Sequence, residues 1–250
     1  MWGGRAGRDQ VLEFFKQHKE DIDIFCLQEI WKDKYEDLEG VMAGGRPVVH
    51  SELMYQALQD IGAILTSHDA YFRPHYRENY GLCMFVRKGL PVIEEGEVFV
   101  HEFKGYEPLP EKEIGHHARN IQFVTLAHEG TPRTVINFHG LWNGQGKSDT
   151  EARLLQSDRI LEFLRSLDHP YVLCGDFNLL PDTESLLKFE REGLTNLIRT
   201  YGITSTRTSI YTKPDRYADY VFTSDGVTVR SFSVLPDEVS DHAALLLEIA

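Results

Sequence analysis

Three apolar runs in this 250-residue chain abut side chains that water holds strongly. Residues 22–28 lead into Glu29, and residues 171–175 lead into Asp176-Phe177-Asn178. Ser240-Asp241-His242 stands directly before the apolar run 243–249. A carboxylate next to a buried run sits at the rim of a core, where a metal or a hydrogen-bond network must offset its desolvation. In an extended chain Asp176 and Asn178 point to one side while Phe177 points to the other, into the core. One carboxylate and one amide aimed at a common point suit a water and a phosphate oxygen. Asn137-Phe138-His139 repeats the pattern, with two polar residues flanking an aromatic at a strand end.

The remaining chain mixes helices and strands. Residues 8–19 carry Val11, Leu12, Phe14 and Phe15 with charges elsewhere, which predicts an amphipathic helix. Residues 50–60 read as a second helix and 81–87 as a strand. The polar stretch 94–117, with two prolines, reads as a long loop or ragged hairpin. Residues 119–128 and 133–139 read as a hairpin joined through 129–132. Ser148-Asp149-Thr150-Glu151 fits a capping box before a helix over 149–167, where Leu154, Leu155, Leu161, Leu164 and Leu167 recur at helical spacing. A strand over 171–175 follows, then Pro181-Asp182 before a helix over 183–192, then strands at 217–223, 227–235 and 243–249. Strands and helices mixed with several hairpins predict a single α/β sandwich domain over 1–250 rather than a doubly wound parallel sheet.

Composition narrows the function classes. The 39 acids outnumber the 26 lysines and arginines, for a net charge of −13. That excludes a basic sleeve for nucleic acid, but not a phosphate substrate approached through a bound cation, which reverses the local sign. No apolar run is long enough for a membrane span and the first residues lack a secretory pattern, so a cytoplasmic protein without membrane contact is expected. Cys26, Cys83 and Cys174 sit in apolar segments and read as free buried thiols.

The ordered set Leu27-Gln28-Glu29, Asn137-Phe138-His139, Gly175-Asp176-Phe177-Asn178, Ala218-Asp219-Tyr220-Val221-Phe222 and Ser240-Asp241-His242 resembles the endonuclease/exonuclease/phosphatase superfamily. The motifs follow that family's order over residues 27–242. The resemblance implies a four-layered sandwich of two packed mixed β-sheets flanked by helices. It also implies Mg²⁺-dependent cleavage of a phosphate ester, with Mn²⁺ as an alternative ion. By position, Glu29 resembles the metal-binding glutamate, and Asp241 the carboxylate that orients or helps ligate. His139, Asp176, Asn178, Asp219 and His242 resemble catalytic residues. Asp176 matches the aspartate that positions or deprotonates the attacking water, and Asn178 the asparagine that orients the scissile phosphate. Either Asp176 or His242 fills the general-base role. His139, protonated, would stabilise developing charge, and Glu78 resembles the glutamate that pairs with it. Family members begin with a strand ending in a metal-site asparagine. Here Trp2-Gly3-Gly4-Arg5 follows Met1 directly, so a fold lacking that first strand, from a truncated chain start, is expected.

Other residues carry two readings. Arg119, at a strand start, faces phosphate or makes a surface ion pair. Arg207 and Tyr211, in a hydroxyl-rich segment, are substrate contacts or part of an exposed edge strand. Trp31 and Trp142 stack a base or pack beside the site. Asn143 and Gln145 reach the same cleft. His116 and His117 read as solvated loop histidines, with substrate contact as the alternative. The expected function is a phosphodiesterase, foremost a nuclease on DNA or RNA, acting as a monomer. The alternatives are a phosphomonoesterase or headgroup phosphodiesterase on the same site, or a noncatalytic binding relic. The charge of −13 shifts weight toward short or small substrates.

Overall fold

The structure, a computed structural model, describes residues 6–43, 46–108, 114–128 and 130–250. Its elements in chain order are α1 (Arg8–His18), β1 (Ile24–Trp31), the short strands β2 (Met42–Ala43) and β3 (Arg46–Pro47), α2 (Ala57–Ile64), β4 (His68–Tyr76) and β5 (Tyr80–Arg87). They continue with β6 (Val92–His101), β7 (Arg119–His128), β8 (Thr131–His139), α3 (Glu151–Arg165), β9 (Tyr171–Asp176) and α4 (Glu184–Arg191). The last are β10 (Thr195–Asn196), α5 (Leu197–Thr200), β11 (Asp219–Thr223), β12 (Val229–Val234) and β13 (Leu245–Ile249).

Two sheets pack face to face between helices. The larger runs β10-β11-β9-β8-β7-β6 and is antiparallel except for β8–β9. The other layer holds β1-β5-β4 and, separately, β12-β13. Val11 and Phe15 of α1 and Ile61 of α2 pack with Phe25 and Phe85 on the outer face of the smaller sheet. Ile160, Leu161 and Leu164 of α3 and Phe189 of α4 bury the larger sheet with Phe177, Tyr220 and Phe222. Met84, Val86 and Val124 meet between the sheets. This is the expected α/β sandwich.

A chain of buried amides also crosses the space between the sheets. Gln28 Nε2 donates to Asn137 Oδ1 at 2.6 Å. Asn137 Nδ2 donates to the Leu27 carbonyl at 3.0 Å and approaches Gln122 Oε1 at 3.4 Å. Gln122 Nε2 in turn donates to the Tyr71 carbonyl at 2.6 Å. Asn137 therefore ties β8 to β1 behind the site instead of facing substrate.

Several boundaries differ from expectation. The first strand does not stop before Glu29. A bulge between Leu27 and Ile30 absorbs Gln28 and Glu29, and β1 continues to Trp31. The expected loop over 94–117 contains most of β6, an edge strand with register shifts near both ends, in which Glu94 and Glu95 are exposed while Glu97 accepts from Asn120 Nδ2. The helix placed at 50–60 is a 3₁₀ turn at His50–Glu52 followed by α2. Thr150 alone caps α3, accepting from the Arg153 N–H. Asp149 instead caps α4, accepting from the Glu184 and Ser185 N–H groups. Cys83 is buried as expected, but Cys26 and Cys174 are half-buried.

Among the described residues, β1 pairs only with β5 and β13 only with β12. Both strands line one cavity of about 670 Å³, walled by Phe15, Val135, Val172 and Val221 and reaching His242 at one end. The smaller layer thus lies in two pieces. Residues 1–5 and the connection at Glu129 lie outside the described residues.

Replacing Asn137 with Ala removes the contacts to the Leu27 carbonyl, Gln122 and Gln28, although Gln28 Nε2 keeps the Cys26 carbonyl at 3.3 Å, and should destabilise the fold by about 3 kcal/mol, since a lost partner in the interior costs roughly 1–3 kcal/mol. Urea unfolding measures this. Ile93→Ala, at a side chain 57% exposed, should stay within about 0.5 kcal/mol.

Candidate active site

Strand register sets three functional side chains in a row. β9 lies between β8 and β11. His139 pairs with Asp176 across the parallel ladder and Asp219 pairs with Asp176 across the antiparallel one. Three adjacent strands therefore deliver imidazole, carboxylate and carboxylate to one edge of the sheet. Gly175 permits this approach. Its φ is 140°, and a Cβ there would strike the backbone carbonyl of Phe138.

Beyond Asp176 the chain leaves the extended form. Asn178 has φ 55°, its N–H donates to Asp176 Oδ1 at 2.8 Å, and its Nδ2 donates to the Gly140 carbonyl at 3.2 Å. Asp176 and Asn178 reach one pocket through this tight turn and not through strand alternation. Phe177, between them, points into the core against Phe138, Tyr220 and Phe222. Glu29 enters from the other sheet at the β1 bulge, with φ 61°. Non-glycine residues held in the left-handed region cluster at functional sites, and two of the four described here line this pocket.

His242 closes the site from the loop before β13. Its Nδ1 donates to Asp219, with carboxylate oxygens at 2.8 and 3.0 Å, and Asp219 also accepts from Thr206 Oγ1 at 3.0 Å. This leaves Nε2 facing Asp176 Oδ2 at 3.7 Å. His139 Nε2 lies 3.9 Å from the same oxygen and 4.0 Å from Glu29 Oε1. These gaps exceed direct hydrogen bonds. Ligand atoms of Asp176, Asp219 and His242 lie within 4.8 Å of one another.

The two histidines are tuned in opposite directions. Burial pulls His139 well below its usual value, and the nearby charge of Arg119 adds to the effect. Burial would also lower His242, but the carboxylates of Asp219 and Asp176 outweigh it and the net direction is up. Burial raises Asp176, assisted by the charge of Asp219, against the pull of His242. Asp219 is lowered: burial pushes it up, and the charge and hydrogen bond of His242 more than reverse that. Their surroundings thus favour the neutral imidazole at His139 and the cation at His242.

Glu29, Arg119, His139, Asp176, Asn178, Arg207, Tyr211, Asp241 and His242 all line this pocket of about 140 Å³. Asp219 sits behind it, holding His242. Asn143 does not line it. Its side chain donates to Thr150 Oγ1 and accepts from the Gln145 N–H, shaping the turn before α3. Glu78 is exposed in the β4–β5 turn. The ring beside His139 is His75, at 5.7 Å between centroids. Glu78 therefore does not stand beside His139 as expected, and burial works against the protonated imidazole that the pairing would support. Arg119 is buried rather than on the surface. His117 is also buried, stacked on His75 at 4.8 Å, so the solvated-loop expectation fails for it. Trp31 packs against Tyr80 at the pocket wall.

His75, Tyr80 and Lys147 escaped the sequence reading. His75 and Tyr80 flank a hairpin turn in otherwise ordinary strand sequence, and Lys147 sits in a polar loop without periodicity. Glu29, Asp176 and Asp241 line one pocket, and carboxylate oxygens are the donors that a hard cation such as Mg²⁺ takes.

Comparison with known proteins agrees with this geometry. The sequence profile described as Endonuclease/Exonuclease/phosphatase family matches residues 1–242. The chain belongs to this family. Similar solved folds include a mannosyl-6-phosphatase of Bacteroides thetaiotaomicron, 18% identical with TM-score 0.69, covering 96% of this chain and 89% of that one. An endonuclease/exonuclease/phosphatase from Bacteroides vulgatus is 18% identical with TM-score 0.67, covering 97% and 89%. The human nocturnin catalytic domain, solved with a sulfate anion, is 18% identical with TM-score 0.64, covering 97% and 85%. Comparison with curated proteins returns no match. Endonuclease/exonuclease/phosphatase proteins are phosphoesterases as a class, and no helix among the described residues is long and apolar enough to cross a membrane.

Histidine NMR titration of metal-free protein should place His242 above 6.5 and His139 well below it. Asp219→Asn should move His242 downward. An unmoved His242 resonance would show that Asp219 does not hold it.

Proposed function

We propose that the protein is a Mg²⁺-dependent phosphoesterase that hydrolyses a phosphodiester by attack of water, acting as a nuclease on short or terminal substrates. The carrying observation is the arrangement of Asp219, His242 and Asp176. Asp219 fixes the imidazole, and the free Nε2 face of His242 meets the free oxygen of Asp176 across 3.7 Å.

Glu29, assisted by Asp241, would hold the ion. Bound Mg²⁺ supplies Lewis-acid charge to phosphoryl oxygens. Asp176 has one oxygen anchored by the Asn178 N–H, so Oδ2 is the proton acceptor for water. Its raised pKa brings it closer to the working pH, where a general base is most effective. His242, kept cationic by Asp219, donates from Nε2 to the charge that develops on phosphorus oxygens. Asn178 keeps one amide N–H after bonding Gly140, and buried Arg119 keeps its Nε without a partner among the described residues. Both suit nonbridging oxygens.

The narrow pocket supports small or single-stranded substrates over duplexes. Its size and its buried cations also favour a second reading, a phosphomonoesterase. Products separate the two, since one yields nucleotides or shortened strands and the other inorganic phosphate. A panel of DNA, RNA and small phosphate esters tests both.

Chelation should abolish hydrolysis, and added Mg²⁺ or Mn²⁺ should restore it. Asp176→Asn should lower kcat by about 10³-fold, within the roughly 10²–10⁴ typical of a lost general base. The pH–rate profile should be bell-shaped. The acid limb reports ionisation of Asp176 and the alkaline limb loss of the His242 proton, each above its usual value. Asp219→Asn should draw the alkaline limb to lower pH. Equal activity in wild type, Asp176→Asn and His242→Ala would overturn the assignment.

A further inference from the structure

One wall of the pocket carries more cationic capacity than the protein itself uses. Lys147 and Arg207 are 4% and 9% exposed. The Tyr211 ring lies 5.2 Å from the Lys147 ammonium and 4.2 Å from the Arg207 guanidinium. Two charged groups buried side by side repel each other, and each has lost its hydration shell. Such a pair needs compensating anions.

The carboxylates of Asp176, Asp219 and Asp215 favour the Lys147 charge, but burial and the charge of Arg207 outweigh them. Lys147 Nζ donates to the Tyr217 carbonyl at 2.6 Å, which uses one of its three N–H groups. Arg207 Nη1 meets Asp241 at 3.3 Å. Arg207 Nε is buried without a partner among the described residues, and so is the indole N–H of neighbouring Trp142. The same molecule shows what a purely structural buried arginine looks like. Arg153 places Nε, Nη1 and Nη2 on the carbonyls of Leu141, Ser148 and Gly146. Arg207 is not closed off in this way, and it lines the pocket beside the hydrolytic centre. Its backbone bridges that of His242.

We propose that Lys147, Arg207 and Trp142 form a second anion subsite, which takes a phosphate group of the substrate other than the one cleaved. The inference rests on the phosphoesterase reading and narrows its substrate class to esters carrying two phosphates. Arg119, His139 and Asn178, which line the same pocket, would face the scissile group, and Lys147 with Arg207 would grip its neighbour. Arginine provides planar, directed N–H donors and lysine a point charge, a combination suited to a phosphate with several free oxygens. The second phosphate is either joined to the first by an anhydride or carried on another hydroxyl of the same molecule.

The test measures binding to the Asp176→Asn protein by calorimetry, with AMP, ADP and adenosine 3′,5′-bisphosphate as probes. At least one two-phosphate probe should bind about tenfold more tightly than AMP, and which one does distinguishes the anhydride from the two-hydroxyl source. Adding Lys147→Gln should reduce that preference to under threefold, and Lys147→Arg should recover most of it. Arg207→Lys provides an independent check, with a loss of about fivefold. AMP binding as tightly as both two-phosphate probes would overturn the subsite, as would Lys147→Gln weakening all three probes equally. Absence of any Mg²⁺-dependent hydrolysis by the wild type would instead overturn the phosphoesterase reading, while the binding ratios would still decide the subsite.

Discussion

The amide chain through Gln28, Asn137 and Gln122 holds the architecture of the site together. His139, Asp176, Asn178 and Asp219 come from the larger sheet or the turn beyond β9, whereas Glu29 arrives from β1 and His242 from the loop before β13, both in the other layer. Two sheets in apolar contact can slide, because hydrophobic packing is not directional. Buried amides cannot, since each lost partner leaves a polar group in a low-dielectric interior. The bonds from Gln28 to Asn137 and from Asn137 to the Leu27 carbonyl therefore fix the layers at the start of the bulge. The bulge then turns Glu29 into the pocket.

Electrostatics completes what register begins. Asp176, Asp219 and Asp241 are all buried, which would be prohibitive without opposing charge. Arg207 answers Asp241 and His242 answers Asp219. Asp176 meets its counter-charge less closely, with His242 Nε2 at 3.7 Å and His139 Nε2 at 3.9 Å from its Oδ2, and so carries the least settled charge of the set. An acidic surface and a pocket lined with buried cations are compatible because the two act over different distances. The net charge works through solvent, where salt screens it within about 8–10 Å, whereas the pocket groups meet a ligand directly.

Much of this was legible in the sequence, for identifiable reasons. Apolar runs that stop at polar residues mark strand ends, and Asp176, Asp219 and His139 did occupy one sheet edge. The β7 boundaries and the helices α1 and α4 followed from periodicity and turn residues. Long-range placement was not legible. Asn137 looked like a site residue because it shares a motif and a strand face with His139, yet it lies two residues further into the sandwich, where its amide meets the Leu27 carbonyl and Gln122 instead of the pocket. Glu78 lay near in sequence to the pocket wall, but the hairpin turn carries it outward. His117 looked solvated because local composition says nothing about the layer that folds over a loop. Lys147 had no local signal, because its burial comes from Tyr211 and Tyr217, more than 60 residues away in sequence.

Arg153 has a consequence beyond its own satisfied hydrogen bonds. By gripping the carbonyls of Leu141, Gly146 and Ser148, it staples the segment around Lys147 to α3, while Asp149 fastens the same segment to α4. The conformational entropy of this loop is surrendered during folding, not during ligand capture. Lys147 is thereby preorganised: a ligand arriving at this wall meets donors already in place, and its residence time is set by the strength of the contacts rather than by opening and closing of the loop.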